Sequence, residues 1–71
     1  MVYTNKMSNY VNAKVNRRHI DLVVRKTWTL YFRWTETKLD MDERAYLNQR
    51  KLAENAIAAG DAAWRSDYQL P

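Results

Sequence analysis

Few residues in this chain have types and spacing suited to chemistry. The one histidine, His19, stands two residues before Asp21 in the stretch RHID. On an extended strand the two would share a face, and a carboxylate beside an imidazole can fix its tautomer. Catalysis also needs a nucleophile and oxyanion donors converging on the same point. The only serines, Ser8 and Ser66, are far from His19 in the sequence, and there is no cysteine. Asp40, Asp42 and Glu43 form one acidic cluster, but no His or Cys accompanies them. Their spacing suits the first turn of a helix, where acids meet the positive end of the helix dipole. A lone glycine, Gly60, leaves no Gly-rich loop to cradle a phosphate. The sequence points away from an enzyme and implies no catalytic residue, no metal and no cofactor.

The basic residues are more informative. The formal net charge of +4 conceals an asymmetry. Residues 1–35 hold seven Lys/Arg (Lys6, Lys14, Arg17, Arg18, Arg25, Lys26 and Arg33) against one acid, Asp21. Residues 36–71 hold five basic residues against seven acidic ones. A charge split of this kind points toward a polyanionic partner for the basic half. The plainer reading is that the cations keep a small sheet soluble and block edge pairing.

Seventy-one residues make one domain near the lower limit for a chain that folds alone. Three Trp, five Tyr and one Phe supply large apolar area, while the absence of Cys removes any disulfide staple. No apolar run approaches a signal-peptide core or a membrane span. The expectation is a cytoplasmic protein without a membrane partner.

The elements expected to position these residues fall into two periods. From Asp40 onward the apolar residues recur at helical spacing: Met41, Ala45, Tyr46, Leu52, Ala53, Ala56, Ile57, Ala59, Gly60, Ala63 and Trp64 share one half of a helix. Asp40 with Glu43 has the spacing of a capping box. Asp40–Arg44, Arg50–Glu54 and Asp61–Arg65 are opposite charges four residues apart. The pattern predicts one long amphipathic helix over about 41–66, with Gly60 as a close-approach position inside it. Upstream, even positions from Ile20 to Trp34 are apolar except for Lys26. That alternation predicts strands at about 20–24 and 28–35 joined by a short turn at 25–27, with a further strand at about 11–15. The competing possibility is one long strand over 19–35. Turn chemistry is weak throughout, because neither expected loop contains Gly or Pro. The predicted fold is α+β: a three-stranded antiparallel meander packed on one C-terminal helix, with residues 1–9 as a flexible arm before a single domain over 10–71.

In that fold Trp28, Leu30, Phe32 and Trp34 face the helix and form the core. Asp21, Val23, Arg25, Thr27, Thr29, Tyr31, Arg33 and Thr35 face outward, forming a polar, basic sheet surface. Arg and Lys neutralise phosphates, and Thr and Asn donate to phosphate oxygens or base edges. The candidate nucleic-acid-binding residues are Lys14, Arg17, Arg18, Arg25, Tyr31 and Arg33, with duplex DNA in transcription or recombination control as the expected partner. Integrase arm-binding and plant AP2-type modules are similar in architecture, but their sequence motifs are absent here. The alternative is a protein-docking regulator, such as a phage-type inhibitor of host RNA polymerase. It would use the arm and an exposed strand edge, with Tyr3, Tyr10, Arg17, Arg18 and Tyr68 as anchors. A homodimer is a third possibility, suggested by Leu47 on the polar side of the helix.

Overall fold

The computed structural model describes the backbone of residues 2–71 and the side chains of residues 17–71. It is a helical hairpin. Helix α1 spans Val2–Thr37, helix α2 spans Asp40–Ala59, and a short 3-10 helix follows at Ala62–Asp67. The whole is elongated, 53 × 21 × 14 Å.

The expected β-meander is overturned. All three segments, 11–15, 20–24 and 28–35, lie within α1, and no strand occurs among the described residues. The reason lies in a run that satisfies both periods. Ile20, Val23, Val24, Thr27, Tyr31 and Trp34 recur every three or four residues and form the face turned to α2. No Gly or Pro interrupts residues 2–37, so nothing forces a turn. The threonines that favour strands are accommodated by back-bonding. Thr27 and Thr29 donate to the carbonyls of Val23 and Arg25, and Thr35 donates to Phe32. The inward and outward sets change accordingly. Thr27 is fully buried and Val23 and Tyr31 are half-buried, whereas Phe32 is 55% exposed.

A two-residue turn reverses the chain. Lys38 takes a left-handed conformation (φ 55°) and its N–H donates to Trp34 O, closing α1; Leu39 is extended and precedes α2. The capping box does not form. No side chain caps α2, and Asp42 instead accepts from the Thr37 hydroxyl.

The second helix starts where the sequence indicates but ends at Ala59, seven residues early. Gly60 is its C-cap, in an extended conformation (φ −82°, ψ 178°). It is a breaker and a close-approach point together, because a Cβ there would stand 3.0 Å from Ile20 Cδ1 and 3.1 Å from the Trp64 ring. Asp61 then caps the 3-10 helix by accepting from Ala63 N, and Arg65 donates to the carbonyls of Ala58 and Gly60 at the end of α2. Those bonds replace the expected Asp61–Arg65 pair. Among the described residues only Arg50–Glu54 of the three expected charge pairs forms.

The helices meet along Ile20, Thr27, Tyr46, Gln49 and Ala53, the buried residues of the hairpin. At the turn end an aromatic cluster extends this line. Trp34 stacks on Tyr46 (5.6 Å, 15°), and Tyr31 packs against both. Met41 and Leu52, expected on the covered half of the helix, are 71% and 60% exposed.

Two substitutions separate the hairpin from the sheet expectation. Ile20→Ala should cost about 2–5 kcal/mol, while Phe32→Ala should cost well under the roughly 3–5 kcal/mol of a core aromatic. Chemical denaturation measures both. Gly60→Ala should destabilise by about 1–3 kcal/mol through crowding of Ile20 and Trp64, despite the better helix propensity of Ala.

Candidate nucleic-acid interface

The cations divide into two groups by what they touch. Arg17, Arg50 and Arg65 serve the fold. Arg17 forms a salt bridge with Asp67 (2.7 Å) and lies over the Trp64 ring, 5.2 Å from its centre. Loss of hydration, which alone would lower the Arg17 pKa, is outweighed by Tyr68 and Asp67, which hold it above its ordinary value. Arg50 pairs with Glu54 and donates through Nε to the Pro71 carbonyl (2.9 Å).

These contacts secure the last eleven residues as a strap along one groove of the hairpin. Tyr68 packs edge-on to Trp64, Trp28 Nε1 donates to Gln69 O (2.9 Å), and Tyr46 donates its hydroxyl proton to Pro71 O (2.6 Å). Burial first, and then the Asp21 carboxylate beside it, raise the Tyr68 phenol above its ordinary pKa. It stays protonated through the neutral range. Tyr68 is therefore a structural residue, and Arg17 is not a free cation.

The second group is Arg18, Arg25, Lys26 and Arg33. All are exposed, and none of their side chains forms a salt bridge or hydrogen bond among the described residues. Arg18, Arg25 and Arg33 are seven and eight residues apart, spacings that return to nearly the same side of an α-helix. They form a line on the side of α1 turned away from α2, about 22 Å from first to last at 1.5 Å per residue. Thr29 is exposed in the same line. The nearest acids on α1 are Asp21, engaged beside Tyr68, and Glu36 at the C-terminal end.

Of the sequence-predicted nucleic-acid residues, the structure thus brings Arg18, Arg25 and Arg33 together, on a helix instead of a sheet. Tyr31 is drawn into the aromatic cluster against Tyr46 and does not face outward. The side chains of Lys14, Tyr3, Tyr10 and the rest of the arm at 1–9 lie outside those described; the backbone of residues 2–9 belongs to α1. The strand edge needed for docking does not exist among the described residues. Lys26 is the residue that sequence reasoning missed: expected in a turn, it sits between Arg18 and Arg33 on α1. The spacing of 18, 25 or 26, and 33 was the available signal.

No group of three or more His, Cys, Asp or Glu among the described residues could hold a metal ion. No described helix is long and apolar enough to cross a membrane. No protein-family model, curated protein or solved structure matches the chain.

Arg17→Ala tests the division of the cations. It should lower the melting temperature and speed proteolysis within residues 61–71. It should leave the salt dependence of any polyanion binding unchanged.

Proposed function

We propose that this chain is a non-enzymatic binding protein that takes a polyanion, duplex DNA above all, against the outer face of α1. The observation that carries this reading is the line of Arg18, Arg25 and Arg33, with Lys26 beside it, exposed and unengaged while the neighbouring Arg17 is consumed by the fold. A helix of this kind is narrow enough to enter or lie along the major groove, which is about 12 Å wide. Arginines at intervals of about 10–12 Å along the helix can reach successive phosphates, and Arg can also pair bidentately with guanine. The class this implies is a small regulator of transcription or recombination that works by occupancy.

The test is fluorescence anisotropy of a labelled mixed-sequence duplex titrated with protein at several salt concentrations. Binding should weaken linearly in log–log form, as counterion release requires. Arg18→Ala, Arg25→Ala and Arg33→Ala keep helix propensity, so each should weaken binding and reduce the slope by roughly one per lost phosphate contact. Arg44→Ala, on the outer side of α2, should not. An unchanged slope in all three α1 variants, or no binding at low salt, would remove the proposal.

A further inference from the structure

The chain reversal at the end of the hairpin borders a cavity of about 420 Å³ lined by Tyr31, Trp34, Thr35, Lys38 and Glu43. A volume of that size is typical of small-molecule sites. Its walls are held by the fold. Trp34 is fixed by its stack on buried Tyr46, and Tyr31 packs against both rings. Glu43 N–H donates to Leu39 O (3.0 Å) and Lys38 N–H to Trp34 O (2.7 Å). The Thr37 hydroxyl, donating to Asp42, ties the two helices together across the turn.

These walls carry more polarity than the turn itself uses. Lys38 and Glu43 have opposite charges and line one cavity, yet they do not pair with each other. Neither side chain forms a salt bridge or hydrogen bond among the described residues. Tyr31 Oη and Trp34 Nε1 also have no hydrogen-bond partner among those residues. No buried polar side-chain atom there lacks a partner, so both of these atoms reach solvent. Lys38 is, in addition, the only non-glycine residue at positive φ (55°) among those described. A helix end of this shape is usually made by Gly or Asn, which adopt it at less cost. Strain retained in this way gathers at ligand sites.

Aromatic walls with one cation and one anion set the class of ligand. A ligand charged with either sign would meet a repelling partner, so the recognised edge is neutral and offers both an acceptor and donors. The rings favour a planar π system that stacks on Trp and Tyr. Guanine meets both demands along one edge. Its O6 accepts from the Lys38 ammonium, while N1–H and the N2 amino group form the parallel pair that a carboxylate accepts bidentately. Adenine and cytosine each offer a carboxylate a single donor group there.

We propose that the cavity at the turn binds a guanine base, as a free nucleoside or as an unpaired base of a nucleic-acid strand. Glu43 stands seven residues before Arg50, which aligns the cavity with the groove that residues 61–71 fill. It is thus separate from the Arg18–Arg33 line, and the inference stands apart from the duplex reading.

Titration of the isotopically labelled full chain with guanosine, followed by amide chemical shifts, tests it. Guanosine carries no phosphate, so counterion release at the α1 arginines does not contribute. Saturable shifts are expected at Tyr31, Trp34, Thr35, Lys38 and Glu43, and adenosine and cytidine should bind at least roughly tenfold more weakly. Glu43→Gln, which keeps the shape of the side chain, should weaken guanosine roughly tenfold or more. Lys38→Gly should weaken binding while leaving the melting temperature unchanged or higher, because glycine relieves the positive φ. A lysine with only a structural role would not separate those two readouts. A short single strand with one unpaired guanine, titrated in parallel, distinguishes the sources. Tighter binding than guanosine that still depends on Glu43 identifies the nucleic-acid base, and equal or weaker binding identifies the free nucleoside. The absence of saturable shifts at the turn, equal binding of adenosine, or a guanosine affinity untouched by Glu43→Gln would each overturn the proposal.

Discussion

The register of the two helices rests on one carbonyl. Val23 O accepts the Thr27 hydroxyl within α1 (2.8 Å) and the Gln49 side-chain amide from α2 (3.3 Å). Thr27 is fully buried and Gln49 nearly so, and among the described residues no buried side-chain polar atom is left without a partner. A slip of α2 by one position would bury the Gln49 amide with nothing to bond, which costs more than any single apolar contact here returns. Apolar packing alone, between an alanine-rich helix and a broad aliphatic face, would tolerate several offsets. The polar pair selects one. It places Ile20 against Gly60 at one end and Tyr46 against Tyr31 and Trp34 at the other.

That register in turn creates the groove the strap fills. Trp28, Tyr46 and Arg50 present their polar ends at intervals along it, and each takes a backbone carbonyl of residues 69–71. The strap is anchored at its other end by Arg17, so the cations nearest α2 are spent on the fold while those on the far side of α1 are not. One helix thereby carries a structural face and an unengaged basic face. The sorting follows from helical geometry, because Arg17 and Arg18 differ by a single step of about 100° and so have different fates.

Parts of this arrangement were legible in the sequence. The second helix was readable from Tyr46, Ala53, Ala56 and Ile57 at helical spacing, and its start from Asp40 onward. The first was not, because the run from Ile20 to Trp34 is apolar at even positions except Lys26 and also carries Val23, Thr27 and Tyr31 on the helical period. With apolar or threonine residues on so many positions, periodicity cannot decide between strand and helix. The deciding signal was negative: neither expected turn held a glycine or proline, and a hairpin with no turn residue is a helix uninterrupted. β-branched and aromatic residues biased the reading toward strands, and tertiary packing often overrides such preferences. Gly60 was recognised as a close approach but not as a stop, since its helix-ending role depends on Asp61 capping the 3-10 helix and Arg65 capping the end of α2. The basic candidates survived the change of fold only where a spacing of seven or eight kept them aligned. Arg18, Arg25 and Arg33 did. Tyr31 did not, because an odd position that points outward on a strand points inward on this helix. The strap depends on contacts across forty or fifty residues, such as Trp28 with Gln69 and Arg17 with Asp67, which no local pattern encodes.

The strap, the buried seam and the unengaged basic face all depend on residues 17–37 forming one uninterrupted helix held in a single register against α2. Backbone chemical shifts of the isotopically labelled chain, with side-chain NOEs, read both properties at once. Helical Cα shifts are expected from Arg17 through Thr37 without a break at 25–27, together with NOEs joining Ile20 to Trp64 and Val23 to Gln49. Strand-type shifts on either side of residues 25–27, or NOEs between Leu22 and Leu30 across a hairpin, would contradict the helix and the register with it.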